Sequence, residues 1–179
     1  MNLRAKYLFA ILLLLSSNLI YIQSANAALY SFTSHTFTNC SATGASGPTQ
    51  AACRTAYSTT WDENNSYFTV TSGIQSWTVP FTGTYTITAI GAGGASPGGK
   101  PASMTGDFTL AEGSIIKILV GQLGTTGYGR GGGGGTFVVD NANTPLVVGG
   151  GGGGGNYNAV NTGGNASIVS NPGTSPIPV

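Results

Sequence analysis

The chain has 179 residues, of which 30 are glycine and only 6% are charged. That length suits one ordinary domain. Six basic residues, five acidic residues and one histidine exclude two classes: they cannot form the basic stripe that a phosphate backbone needs, so nucleic acid is not an expected partner, and they cannot build a multi-histidine metal centre.

Residues 1–27 place Arg4 and Lys6 before an uncharged apolar run and end in Ala25-Asn26-Ala27. This pattern predicts a signal peptide cut between Ala27 and Ala28. Only if left uncleaved would the run tie the protein to a membrane. Loss of Arg4 and Lys6 leaves four bases against five acids, a net charge of −1 for residues 28–179. The mature domain is therefore expected to be secreted or displayed at the cell surface.

Two cysteines follow, Cys40 and Cys53. An even pair in an exported chain is expected to form a disulfide; the alternative, a two-thiolate metal site, lacks further ligands. Between and after them, PTQAACRTAYSTTW (48–61) offers a short helix with Pro48 in its first turn. The other segments alternate with period two. LYSFTSHTFT (29–38) spaces aromatics through a Ser/Thr background, and SYFTVTSGIQSWTVP (66–80) reads as two strands broken at Gly73. GTYTITAIGAGG (83–94) puts Tyr85, Ile87 and Ala89 on one face. GDFTLAEGSIIKILVGQ (106–122) reads as a hairpin around Ala111-Glu112-Gly113, its second arm apolar enough for a strand covered on both faces. TFVVDNANTPLVV (136–148) is a further hairpin turning at Asp140 to Thr144. Short strands at regular spacing predict an all-β fold, a β-sandwich or jelly roll.

Several motifs suggest chemistry and fall short of it. GASPGGKP (94–101) follows the phosphate-loop pattern until Pro101 stands where a magnesium-binding hydroxyl is needed, and no helix follows it. GYGRGG (127–132) leads into a strand, which removes the Rossmann mechanism. His35 has no second histidine, and no nucleophile-elbow pattern accompanies it. Asp62 and Glu63 are adjacent and so point oppositely on an extended chain. Asp140, Asn141 and Asn143 could offer oxygens to calcium, but these residue types also dominate tight turns. The expectation is a protein without enzymatic activity, cofactor or metal.

Two glycine runs remain: Gly131, Gly132, Gly133, Gly134 and Gly135, and Gly149, Gly150, Gly151, Gly152, Gly153, Gly154 and Gly155. Ordering the second run costs on the order of 10 kcal/mol with no side chain buried in return. A lone run should therefore stay mobile. Order becomes favourable if strands hold the ends and several runs pack side by side in the extended threefold form, pairing N–H with C=O laterally. The anchors are present: TFVV follows the first run and PLVV precedes the second.

The pieces FTNCSATGASGPTQAAC, GIQSWTVPFTGTYTITAIGAGG, GDFTLAEGSIIKILVGQLGTTG, GGGGGTFVV and PLVVGGGGGGG, in this order across residues 32–155, resemble the glycine-rich extracellular domain of the anaplastic lymphoma kinase/leukocyte tyrosine kinase receptors and its stand-alone microbial relatives. The resemblance implies a tumour-necrosis-factor-like sandwich from which glycine loops project as packed polyglycine helices. It also implies recognition of extracellular ligands, and kinase activity is not expected of this chain. The chain ends at SNPGTSPIPV, where such relatives continue, so an incomplete sandwich edge is expected. The expected partners are an extracellular protein or glycan, or copies of the chain itself assembled in an envelope or appendage.

Overall fold

The computed structural model describes residues 27–127, 129–156 and 163–166. The leader to Asn26, and with it the signal-peptide reading, lies outside these residues, as does the end of the chain. Seven strands and one helix order the rest: α1 (Gln50–Tyr57), β1 (Phe68–Thr71), β2 (Ile74–Thr78), β3 (Gly83–Ile90), β4 (Ser103–Leu110), β5 (Ile115–Leu119), β6 (Thr136–Asp140) and β7 (Pro145–Gly149). They form an antiparallel five-stranded sheet, order β1-β2-β5-β6-β7, and an antiparallel pair, β3-β4. The pair packs over β6 and β7. Among the described residues no helix is long and apolar enough to cross a membrane.

Local chemistry explains most boundaries. β1 and β2 join through Ser72 and Gly73, both at positive φ (50° and 78°), as a two-residue hairpin with matched twist requires. In β3 the alternation holds: Tyr85 and Ile87 are half-buried and Ala89 fully buried, while Thr84, Thr86 and Thr88 face water. The β6–β7 turn is closed by Asn143 N donating to Asp140 O (3.0 Å) and Thr144 N donating to the Asp140 carboxylate (2.8 Å). Trp77, Val79, Ala89, Ile116, Ile118, Val138 and Val147 fill the space between the sheets. Each large side chain buried there contributes about 1.5–3 kcal/mol.

Four expectations are corrected. Pro48 is outside the helix: Thr49 is its N-cap, its side chain accepting from Ala52 N at 3.2 Å. Residues 29–38 form no strand. One backbone bond, Leu29 N to Pro80 O (2.8 Å), and side chains hold this segment instead, with Gln75 Nε2 donating to Thr38 O (2.7 Å) and Thr38 N donating to the Tyr57 hydroxyl (2.9 Å). Residues 106–122 form no hairpin, because the turn after β4 is stitched to the end of β2. Gly113 N donates to Val79 O and Val79 N to Ser114 O, both at 2.9 Å, which sends β5 into the larger sheet. There β5 is the middle strand, but only Ile116 and Ile118 are buried; Ile115 and Leu119 lie on the open face, 37% and 39% exposed.

Candidate functional site

The sequence-derived candidates occupy two regions of the molecule. The first is an aromatic layer over the β1–β2 end of the larger sheet. Cys40 and Cys53 are bonded there as expected, tying the segment before α1 to the buried face of the helix. The His35 ring stands edge-on to Phe37, Tyr57 and Trp61, with centroids 4.7, 4.4 and 4.9 Å away. Its Nε2 is buried without a hydrogen-bond partner. Burial holds the imidazole pKa below its ordinary value, opposed by the charge of Asp62. Asp62 itself is fully buried and accepts from Thr59 N (2.9 Å) and Thr59 Oγ1 (2.7 Å). His35 is thus packed as an aromatic among aromatics rather than aimed at a nucleophile.

The other motifs resolve as turns and packed backbone. In Asp140–Thr144 the side chains serve the turn itself, and Lys117 Nζ donates to Asn141 O (2.8 Å) and to Asn143 Oδ1 (3.0 Å). This takes up oxygens that the calcium reading required. In 94–101 the chain turns at 95–97 and its glycines pack against other backbone, with Gly94 N donating to Gly99 O at 3.1 Å.

The second region extends the strands at one end of the sandwich. Residues 91–95 run on from β3 and 97–102 lead into β4. Residues 121–125 leave β5, 131–135 enter β6, and 149–155 leave β7; residues 163–166 lie beside them. Backbone hydrogen bonds arrange these six segments as two staggered rows. One row is 121–125, 91–95, 97–102, and the other is 131–135, 149–155, 163–166. Every adjacent pair is joined. Within the rows Gly124 N donates to Gly93 O, Gly91 N to Ala102 O, Gly133 N to Gly152 O and Gly153 N to Gly164 O, at 2.8–3.1 Å. Between them Gly134 N donates to Gln122 O, Ala92 N to Gly134 O, Gly152 N to Ala92 O, Gly99 N to Gly153 O and Ala166 N to Lys100 O, at 2.8–2.9 Å.

The bonds between one pair of segments recur every third residue. Ala92 and Ala95 both donate to 131–135, Gly131 and Gly134 to 121–125, and Gly99 and Ala102 to 149–155. Each segment therefore addresses different neighbours in turn, and the neighbours come within side-chain distance. A Cβ on Gly152 would stand 2.0 Å from Gly99 O, whereas one on Gly150 would meet only the Ala166 Cβ at 3.5 Å. Thr136 clamps this region to the sandwich: its buried hydroxyl donates to Ile90 O (2.6 Å) and accepts from Gly121 N (3.0 Å). The pure runs were legible as candidates. The four mixed segments were not, yet they carry a signal in small residues three apart: Gly91 and Gly94, Gly99 and Ala102, Gly121 and Gly124, Gly163 and Ala166.

Fold and site define an all-β domain of two antiparallel sheets, stapled by one disulfide and extended by hydrogen-bonded glycine-rich backbone. No protein-family model matches the chain. The leukocyte tyrosine kinase receptor of Mus musculus is similar to it, 38% identical over 101 residues; the match covers 49% of this chain and 11% of the receptor.

Proposed function

We propose that the chain is a secreted or surface-displayed recognition domain without enzymatic activity. In this reading the two sheets are a tumour-necrosis-factor-like jelly roll, and the six segments are polyglycine-II helices packed into a rigid slab. The observation that carries it is the three-residue period of the lateral hydrogen bonds, the spacing of an extended threefold helix. The similarity to a receptor and a disulfide in a chain with a predicted leader support the extracellular setting. The partner is an extracellular protein or glycan. Export with cleavage is checked by N-terminal sequencing of the secreted protein, expected to start at Ala28. Recognition is checked by probing the purified domain against protein and glycan arrays; binding to none would remove it.

A second reading, self-assembly into an envelope or appendage, is favoured by one observation. The open face of the larger sheet carries Ile74, Leu119 and Phe137, 40%, 39% and 42% exposed, with Leu119 and Phe137 directly paired across strands. Light scattering decides it: a strict monomer at high concentration contradicts assembly.

A further inference from the structure

The two ends of the domain differ in shape and in charge. β3, β5 and β7 run into the slab and β4 and β6 run out of it, so the turns 111–114 and 140–144 lie at the far end of the sandwich. Between those turns opens a groove of about 690 Å³, whose apolar lining is Leu110, Ile115, Ile116 and Leu146. That volume falls within the range of pockets that enclose small ligands, about 300–1,000 Å³. Asp140 is the one charged residue in the lining, and Thr144 N donates to its carboxylate at 2.8 Å. Lys117 approaches the same turn from outside the lining, its Nζ bonded to Asn141 O and Asn143 Oδ1.

The slab end is the opposite. Residues 91–102, 121–135 and 149–179 hold Lys100 and Arg130 and no acidic side chain; all five acids of the chain lie elsewhere. Leu123 stands in this cationic end, 74% exposed, the most exposed large apolar side chain among the described residues. Its backbone is fixed on both sides, with Gln122 O accepting from Gly134 N (2.8 Å) and Gly124 N donating to Gly93 O (3.1 Å). Arg130 adjoins the same segment, since Gly131 N donates to Thr125 O at 3.1 Å. A leucine held out on ordered backbone costs little further ordering when a partner buries it, which favours binding. One chain thus carries both halves of a contact: an apolar knob on a cationic end, and an apolar groove with a carboxylate in its lining.

We infer that copies of this chain associate head to tail, with Leu123 of one copy seated in the groove of the next. Burying the leucine against Leu110, Ile116 and Leu146 removes apolar area from water, and the positive charge of the slab is drawn to Asp140. Charge complementarity selects this pairing over slab against slab, which would bring cations together. Because knob and groove sit at opposite ends, each contact leaves one of each unused. Such a heterologous contact repeats as an open array.

Head-to-tail association rests on the self-assembly reading and names its contact, and the two can fail separately. Sedimentation velocity on the purified chain over a concentration series reads the mass, and the wild type should grow beyond a dimer. Leu123→Asp removes the knob, and Ala142→Arg puts a cation on the groove lining. Each alone should weaken association about tenfold to a hundredfold, the effect of burying one leucine. An equimolar mixture of the two variants should form a dimer and nothing larger, because only the knob of one and the groove of the other remain. That mixed dimer also shows that both variants are folded. Association that survives both single substitutions overturns the inference and leaves self-assembly to the open face of the larger sheet. A wild type that stops at a closed dimer overturns it, as does a mixture that stays monomeric while both variants keep the circular dichroism of the wild type. A strict monomer overturns both readings and leaves the groove to another occupant.

Discussion

The aromatic layer and the glycine slab solve the same problem, removing chain from water, by opposite means. In the layer Phe37, Trp61, Phe68 and Trp77 bury large rings against one another, with centroids 5.7–6.4 Å apart in the pairs that touch. Backbone there is held by side chains such as Gln75 and Tyr57. In the slab almost nothing but backbone is buried, and backbone is held by backbone. The first region depends on atoms being present, the second on their absence. Substitution should therefore act with opposite rules at the two ends of one domain.

The sharpest break of the layer is Phe68→Ala, which empties a site only 1% exposed; a loss of about 3–5 kcal/mol is expected in denaturant unfolding. Replacing Cys40 and Cys53 together by serine releases a loop of sequence separation 13 and should cost about 3 kcal/mol on the chain-entropy model. In the slab the damaging change is an addition. Gly152→Ala sets a Cβ 2.0 Å from Gly99 O and should cost about 1–3 kcal/mol or more. Gly150→Ala, two residues earlier in the same run, meets only ordinary contact and should stay within about 0.5 kcal/mol. Equal effects at 150 and 152 would mean that the run is not packed.

The smallest effect separates the regions by pH. Burial lowers the His35 pKa, so the unfolded chain takes up the proton first. The stability is fully present above about pH 6.5 and declines as pH falls from there through the lowered folded value. Thermal midpoints should drop between pH 7 and 5.5 and should not do so in His35→Phe. The Asp140 pKa is also lowered, first by its bond from Thr144 N, but that contribution is lost only below the ordinary carboxylate range, about pH 4.

Sequence reading recovered what local patterns encode. The Thr/apolar alternation of 83–90, the break at Gly73 and the Asp-Asn turn at 140–144 each carry their geometry in the residues themselves. It failed where a distant partner decides. The hydrogen bonds to Val79 that turn β4–β5 into a crossover come from a residue more than thirty positions earlier. Residues 29–38 alternate like a strand but meet side chains instead of a neighbouring strand. In the slab the runs 131–135 and 149–155 stand out, yet 97–102 and 121–125 contain Lys100, Pro101, Gln122 and Leu123. These side chains stand at positions between the close approaches at Gly99, Gly121 and Gly124, a pattern that composition hides and spacing reveals.

The central claim is that glycine-rich backbone here is ordered by its own lateral hydrogen bonds, and amide exchange tests it most directly. Gly99, Gly133, Gly134, Gly152 and Gly153 all donate to backbone carbonyls and should exchange as slowly as the strand amides of β5 and β6. Exchange at the rate of a free peptide for these glycines, with β5 and β6 still protected, would contradict the account.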